Sequence, residues 1–208
     1  MLTTIIALSV SYLIGSIPTA YIFGRLTKGI DIRKHGSGNV GATNAFRILG
    51  RGIGLTVLAI DIAKGLAVVL LAQQNSGSAI LSPEMFRLLC GICAIIGHTW
   101  TVFLRFKGGK GMATTLGVLI GLSIYTPYLG TVLLLLFLIW VLVFVFSRIV
   151  SAASLASAIA FPFLSVLLKQ SPVLIATSIF LSLFVIVRHK SNIQRLLQGK
   201  EPRLKLGR

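Results

Sequence analysis

Long apolar runs separated by short, basic, glycine-containing segments set the pattern of this chain. A helix crossing a bilayer needs about 17–25 predominantly apolar residues. Runs of that kind cover residues 3–23, 52–72, 87–104, 128–146, 150–168 and 172–187. A shorter one, 112–124, is set off from the next by the turn-forming Tyr125-Thr126-Pro127. The pattern predicts an all-α integral membrane protein of about seven transmembrane helices, some of them short. They form a single membrane domain over residues 1–208, ending in a basic tail, 188–208. No Lys or Arg precedes the first run and no small-residue cleavage site follows it, so it is expected to remain as a span, not to be removed as a signal peptide.

Composition agrees with lipid as the solvent: 55% of residues are apolar, only 12% are charged, and the mean hydropathy is +0.94. The net charge of +16 is not the footprint of a free-standing nucleic-acid-binding domain, because the Lys and Arg are interleaved with runs of membrane-spanning length. Anionic headgroups and phosphorylated substrates fit it better. Cys90 and Cys93 fall inside an apolar run and read as small packing residues.

Seventeen of the twenty Lys and Arg lie in four places: six within 24–51, three within 105–111, Arg148, and seven from Arg188 onward. Seven spans put all four places on one side, which the positive-inside rule makes cytoplasmic, with the amino terminus out and the carboxyl terminus in. Arg87 and Lys169 are left at the other face, together with the connection that contains Ser78. Within the second run, Asp61 and Lys64 stand three apart, share a helix face and neutralise each other as an ion pair.

The chain has four acids, Asp31, Asp61, Glu84 and Glu201, too few and too scattered for two-metal phosphoryl chemistry. Lys110 lies between glycines, so the Ser or Thr of a nucleotide-binding P-loop is missing. His35, His98 and His189 lack metal-ligand spacing. Neither metal nor cofactor is expected.

Three polar segments remain, all on the basic side. The first, His35-Gly36-Ser37-Gly38-Asn39-Val40-Gly41-Ala42-Thr43-Asn44-Ala45-Phe46-Arg47, offers glycines that let backbone amides converge, and Asn39 as a helix cap. With Ser37, Thr43, Asn44 and Arg47 it forms a candidate anion cradle. The second, Phe106-Lys107-Gly108-Gly109-Lys110-Gly111, opens the short run at 112, where the lysines and the helix dipole both favour phosphate. The third, Arg188-His189-Lys190-Ser191-Asn192-Ile193-Gln194-Arg195, follows the last run. If the helix continues, His189 and Asn192 share a face, and a histidine there can take a hydroxyl proton.

In order and on the expected side, these segments resemble one family, the acyl-phosphate:glycerol-3-phosphate acyltransferases that begin bacterial phospholipid synthesis. The resemblance rests on G-S-G-N-V-G-A-T-N with Arg47, on Gly97-His98 with F-K-G-G-K-G, on H-x-x-N-I-x-R, and on Asp61-x-x-Lys64-Gly65. It implies transfer of a fatty acyl group from acyl phosphate to glycerol 3-phosphate, giving lysophosphatidic acid at the cytoplasmic side of the cell inner membrane, with no nucleic-acid partner. The resemblance implies His189, Asn192 and Ser37 as catalytic. Ser37, Gly38, Asn39, Thr43, Asn44, Arg47, Lys107, Gly108, Gly109 and Lys110 are the expected phosphate-binding residues. Ser191 stands where the family commonly has an acid, Thr101 where it has Pro, and Arg105 where Gly is frequent.

An acyl phosphate is a mixed anhydride with a good leaving group, so no enzyme nucleophile is required; binding, orientation and hydrogen bonds suffice. Proton removal has two options, His189 as base, or a substrate phosphate as base with His189 orienting it. The His-x-x-x-x-Asp motif of thioester-dependent acyltransferases is absent, since Val40, Phe103 and Gln194 stand five residues beyond the three histidines. The alternative class, a membrane transporter for an organic phosphate, would line a mid-membrane path with polar groups, whereas here they crowd one face.

Overall fold

The computed structural model describes residues 1–74 and 81–204; Ser78, and Lys205 and Arg208 of the basic tail, lie outside the described residues. Among the described residues the chain forms helices and turns without strands, in two compact units, Met1–Leu122 and Ser123–Arg208.

The first unit contains α1 (Leu2–Ser16), α2 (Thr19–Lys28), α3 (Ala42–Ile48), α4 (Arg51–Gln74), α5 (Pro83–Thr99) and most of α6 (Met112–Ser123). The first apolar run is not one continuous helix. Pro18 has no backbone N–H and pushes Ile17 to an extended conformation (ψ 114°), so α1 stops at Ser16 and α2 starts at Thr19. At the break the Ile17 carbonyl accepts from the Thr19 backbone N–H and from Lys64 Nζ, both at 3.0 Å.

Glycines let the helices of this unit approach closely. A Cβ at Gly15 would overlap the Ala94 carbonyl, and one at Gly97 the Tyr12 carbonyl, which brings α1 against α5. Gly65 and Gly117 do the same for α4 and α6, against the carbonyls of Thr114 and Ile62. In lipid, where apolar surface gains little by leaving the solvent, close packing of small residues is what holds helices together.

The second unit contains α7 (Leu129–Ser147), α8 (Val150–Leu167), α9 (Pro172–Arg188) and α10 (Lys190–Leu197). Trp140 Nε1 donates to Ser154 Oγ (3.3 Å) and Ser157 Oγ to the Leu136 carbonyl (3.0 Å), tying α7 to α8. The outward residues Leu134, Leu138, Leu142 and Phe146 are exposed, as a lipid-facing side should be. The tail returns to the α7–α8 turn, with Leu204 N–H donating to the Arg148 carbonyl at 2.7 Å.

Among the described residues, five segments are long and apolar enough to cross a membrane: Leu2–Lys28, Arg51–Gln74, Pro83–Leu104, Leu129–Ser147 and Val150–Leu167. A sixth is Pro172–Arg188 taken together with Lys190–Leu197, from which it is bent by 62°. At 12 residues, α6 is apolar but shorter than these.

Candidate active site

The first glycine-rich segment hangs from a short 3₁₀ turn, Ile32–Lys34, capped by Asp31, whose carboxylate accepts the Arg33 backbone N–H at 3.0 Å. The same carboxylate takes two hydrogen bonds from the Arg33 guanidinium, from Nε at 2.9 Å and Nη2 at 2.7 Å. That side-chain pairing holds Asp31 at a pKa of about 2 and raises Arg33. Arg33 also lies over the Tyr21 ring, 5.2 Å from its centroid.

Asn44, buried at 2% exposure, braces the loop. Its Oδ1 accepts the Ser37 N–H (3.0 Å) and its Nδ2 donates to the His35 carbonyl (3.1 Å). Gly36 and Gly38 take positive φ (60° and 71°) to make the turn, and a Cβ at Gly36 would overlap Asn44 Oδ1. This corrects two sequence expectations. The cap of α3 is Gly41, not Asn39. The amides of Ser37 and Gly38 do not converge on an empty centre, because Asn44 and the His35 carbonyl already take them. Ser37 itself is exposed, while Thr43 and Arg47, on α3, are half-buried; what this segment offers to an anion is therefore side chains and not these two amides.

The second segment follows a 3₁₀ turn, Val102–Leu104, and two residues with left-handed backbone, Arg105 (φ 53°) and Phe106 (φ 60°). The frequent Gly of the family at the Arg105 position has its reason here, since glycine adopts that conformation without steric cost. Thr101, where the family has Pro, caps the turn by accepting the Phe103 N–H and donates to the Ser16 carbonyl at 2.6 Å. Gly108 and Gly109 donate their N–H groups to the carbonyls of Thr99 and His98, both at 3.0 Å, so these amides too are spent internally. Lys107 is exposed and Lys110 half-buried, directly before the first turn of α6, whose amides have no intrahelical partners.

The two segments meet. A Cβ at Gly109 would come within 2.9 Å of the Val40 carbonyl, and Val40 and Leu104 share one core cluster with Ile32, Ala45 and Leu49. The segment that carries Ser37, Thr43 and Arg47 and the segment that carries Lys107 and Lys110 thus touch at Val40 and Gly109.

In the second unit the helix does not continue through the third segment. It ends at Arg188, bends 62° at His189 and resumes as α10. His189 and Asn192 are nevertheless both buried, at 2% and 6% exposure, while Lys190 and Ser191 are exposed. His189 Nδ1 lies 2.8 Å from the Val185 carbonyl. A carbonyl only accepts, so Nδ1 carries the hydrogen and Nε2 is the accepting nitrogen of the neutral ring.

Glu201, to which no sequence motif assigns a role, is the hub of this region. Buried at 8% exposure, it accepts from Asn192 Nδ2 (2.5 Å) and Ser151 Oγ (2.7 Å) through Oε1, and from Arg195 Nε (2.6 Å) through Oε2. Burial pushes its carboxyl up, but the bonds from Ser151, Asn192 and Arg195 outweigh this and hold it below its ordinary value. Because Nδ2 of Asn192 is committed to Glu201, its Oδ1 is oriented as an acceptor. Ser191 has no such part, so the brace of this helix comes from the tail and not from the position where the family commonly carries an acid. The sequence signal was the acid count: a carboxylate in a basic tail nine residues past Asn192 has Arg195 as a ready partner.

Fold and site together define a multi-pass membrane protein that carries basic, phosphate-suited loops. The chain belongs to the glycerol-3-phosphate acyltransferase family, whose model matches residues 5–199. It is 45% identical to the glycerol-3-phosphate acyltransferase of Desulforudis audaxviator, over 97% of this chain and 96% of that protein. With that of a Synechocystis species it is 43% identical, over 98% and 92%. In structure it is similar to crystallised PlsY, described as an integral membrane glycerol 3-phosphate acyltransferase. The TM-score is 0.85 to its glycerol 3-phosphate form, at 35% identity over 97% of this chain and 96% of that one. To its lysophosphatidic acid form the TM-score is 0.82.

Proposed function

We propose that this chain transfers a fatty acyl group from acyl phosphate to glycerol 3-phosphate, producing lysophosphatidic acid and inorganic phosphate at the cytoplasmic face of the cell membrane. The glycerol hydroxyl oxygen attacks the acyl carbonyl carbon. The bond from that carbon to the bridging oxygen breaks, and phosphate departs with the electron pair. His189 Nε2 accepts the hydroxyl proton, a role that fits its tautomer. Asn192 Oδ1 accepts a hydrogen bond from the other free hydroxyl of glycerol 3-phosphate and so holds the attacking one in line. Arg47, Lys107 and Lys110 neutralise the phosphates, Ser37 and Thr43 donate to phosphate oxygens, and Asn44, Gly38, Gly108 and Gly109 keep the loops in shape. Asn39 takes its place as a further polar group of the first loop.

The observation that carries this reading is the meeting of the two basic glycine-rich segments at Val40 and Gly109; Arg47, Lys107 and Lys110 all belong to these two segments. The two PlsY forms, one of glycerol 3-phosphate and one of lysophosphatidic acid, support glycerol 3-phosphate as the acyl acceptor and lysophosphatidic acid as the product. The test is donor choice: purified protein in detergent with glycerol 3-phosphate should make lysophosphatidic acid from acyl phosphate and not from acyl-CoA. Use of acyl-CoA alone would overturn the assignment of the donor.

A further inference from the structure

A buried polar chain runs beneath the second glycine-rich segment, and the reaction as described does not use it. Asp61, Lys64 and His98 are exposed by only 1%, 6% and 7%. Lys64 Nζ has three partners: Asp61 Oδ1 at 2.9 Å, the Ile17 carbonyl at 3.0 Å, and His98 Nδ1 at 2.9 Å. Thr19 Oγ1 donates to the same Asp61 oxygen at 3.0 Å. An ammonium has three hydrogens and no lone pair, so its third bond makes His98 Nδ1 an acceptor and places the ring hydrogen on Nε2. Nε2 is the atom turned to the loop, since a Cβ at Gly109 would overlap it. The backbone of the same histidine holds the loop as well: its carbonyl accepts the Gly109 N–H, and a Cβ at Gly108 would overlap that carbonyl.

An ion pair that merely stabilised helix packing would need only Asp61 and Lys64. Here the pair reaches a third element and fixes the tautomer and rotation of a ring against which the lysine-bearing loop is seated. We propose that Asp61, Lys64 and His98 are positioning residues for the phosphate-binding loop Gly108–Gly111, with His98 transmitting the geometry of the buried pair to Gly109 and so to Lys110. The proposal rests on the reading of that loop as a phosphate site.

Removing one charge alone leaves the other buried and unpaired, which endangers folding. The informative variant therefore removes both, Asp61→Leu with Lys64→Met, and His98→Phe is made beside it to keep the ring volume. Each is purified in detergent, its thermal unfolding is measured, and glycerol 3-phosphate and inorganic phosphate binding are followed by calorimetry alongside KM and kcat for both substrates. The expected result is a folded protein whose affinity for a phosphorylated ligand falls about tenfold, the size of a misplaced hydrogen bond to a charged group, with kcat changed less than KM. Lys110→Ala in the parent supplies the control for the underlying reading. If Lys110→Ala leaves phosphate binding intact, the loop is not the phosphate site and the reading itself fails. If Lys110→Ala weakens binding while the double variant and His98→Phe bind as the parent does, the chain beneath the loop is structural only and the proposal is overturned. Should the double variant not fold, His98→Phe decides alone.

Discussion

His189 sits where α9 stops, with its own backbone N–H and its ring Nδ1 both directed to the last carbonyls of that helix. The helix end therefore holds the ring and fixes which of its nitrogens accepts. Asn192 is held differently, through Glu201. His189→Ala and Asn192→Ala should each lower turnover by at least about a hundredfold, the scale of a lost acid-base or orienting contact. Lys190→Ala and Ser191→Ala, at exposed positions, should cost little. Since the two buried groups work on one transition state, the double variant should be hardly worse than the worse single one. Steady-state kinetics of the four single variants and the double variant check this, and additive losses would separate the two residues' roles.

At the scale of elements, the tail is the least obvious part of the site. Glu201 binds Ser151 at the start of α8, and Asn192 and Arg195 on α10, so one carboxylate ties three pieces of the second unit. Its pKa is lowered by folding, which means that it adds stability above the ordinary glutamate value of about 4.3. That stability is lost as pH falls through this value toward the folded one. Hydrogen exchange of the α10 amides, corrected for intrinsic rate, should therefore be slow at neutral pH and accelerate below about pH 4.3. Glu201→Gln should exchange faster at neutral pH and lose the pH step. An unchanged step would place the titrating group elsewhere.

The helices of this protein were legible from sequence because apolar runs of fixed length leave few choices: α4, α7 and α8 begin and end within one or two residues of the runs at 52–72, 128–146 and 150–168. Breaks inside runs were less so. The α1–α2 break needs only Pro18, a local signal, but the bend at His189 has no proline or glycine behind it. Among the site residues, the loops announced themselves through glycines and lysines. What was hidden is which groups are already satisfied: the Gly38 amide by His35 within the turn, and Asn44 with the amides of Ser37, Gly108 and Gly109 by partners further off along the chain. His98 joins the Asp61–Lys64 pair from another helix, a contact that spacing along one helix cannot reveal.

For the whole molecule, the distribution of Lys and Arg makes a claim about sidedness. With seven spans and the basic segments inside, a cysteine introduced at Ser78 should react with an impermeant maleimide from outside intact cells. Cysteines at Ser37 or Ser191 should react only after the membrane is opened. Labelling of all three from one side would contradict this topology. The central claim, acyl transfer from acyl phosphate, makes a demand on atoms that can be read directly. Acyl phosphate labelled with oxygen-18 in the bridging C–O–P position should be incubated with glycerol 3-phosphate and purified protein in detergent containing EDTA, and the products analysed by mass spectrometry. Attack at the carbonyl carbon predicts unlabelled lysophosphatidic acid and released phosphate that carries the label. Label retained in a free fatty acid, or no lysophosphatidic acid at all, would contradict it.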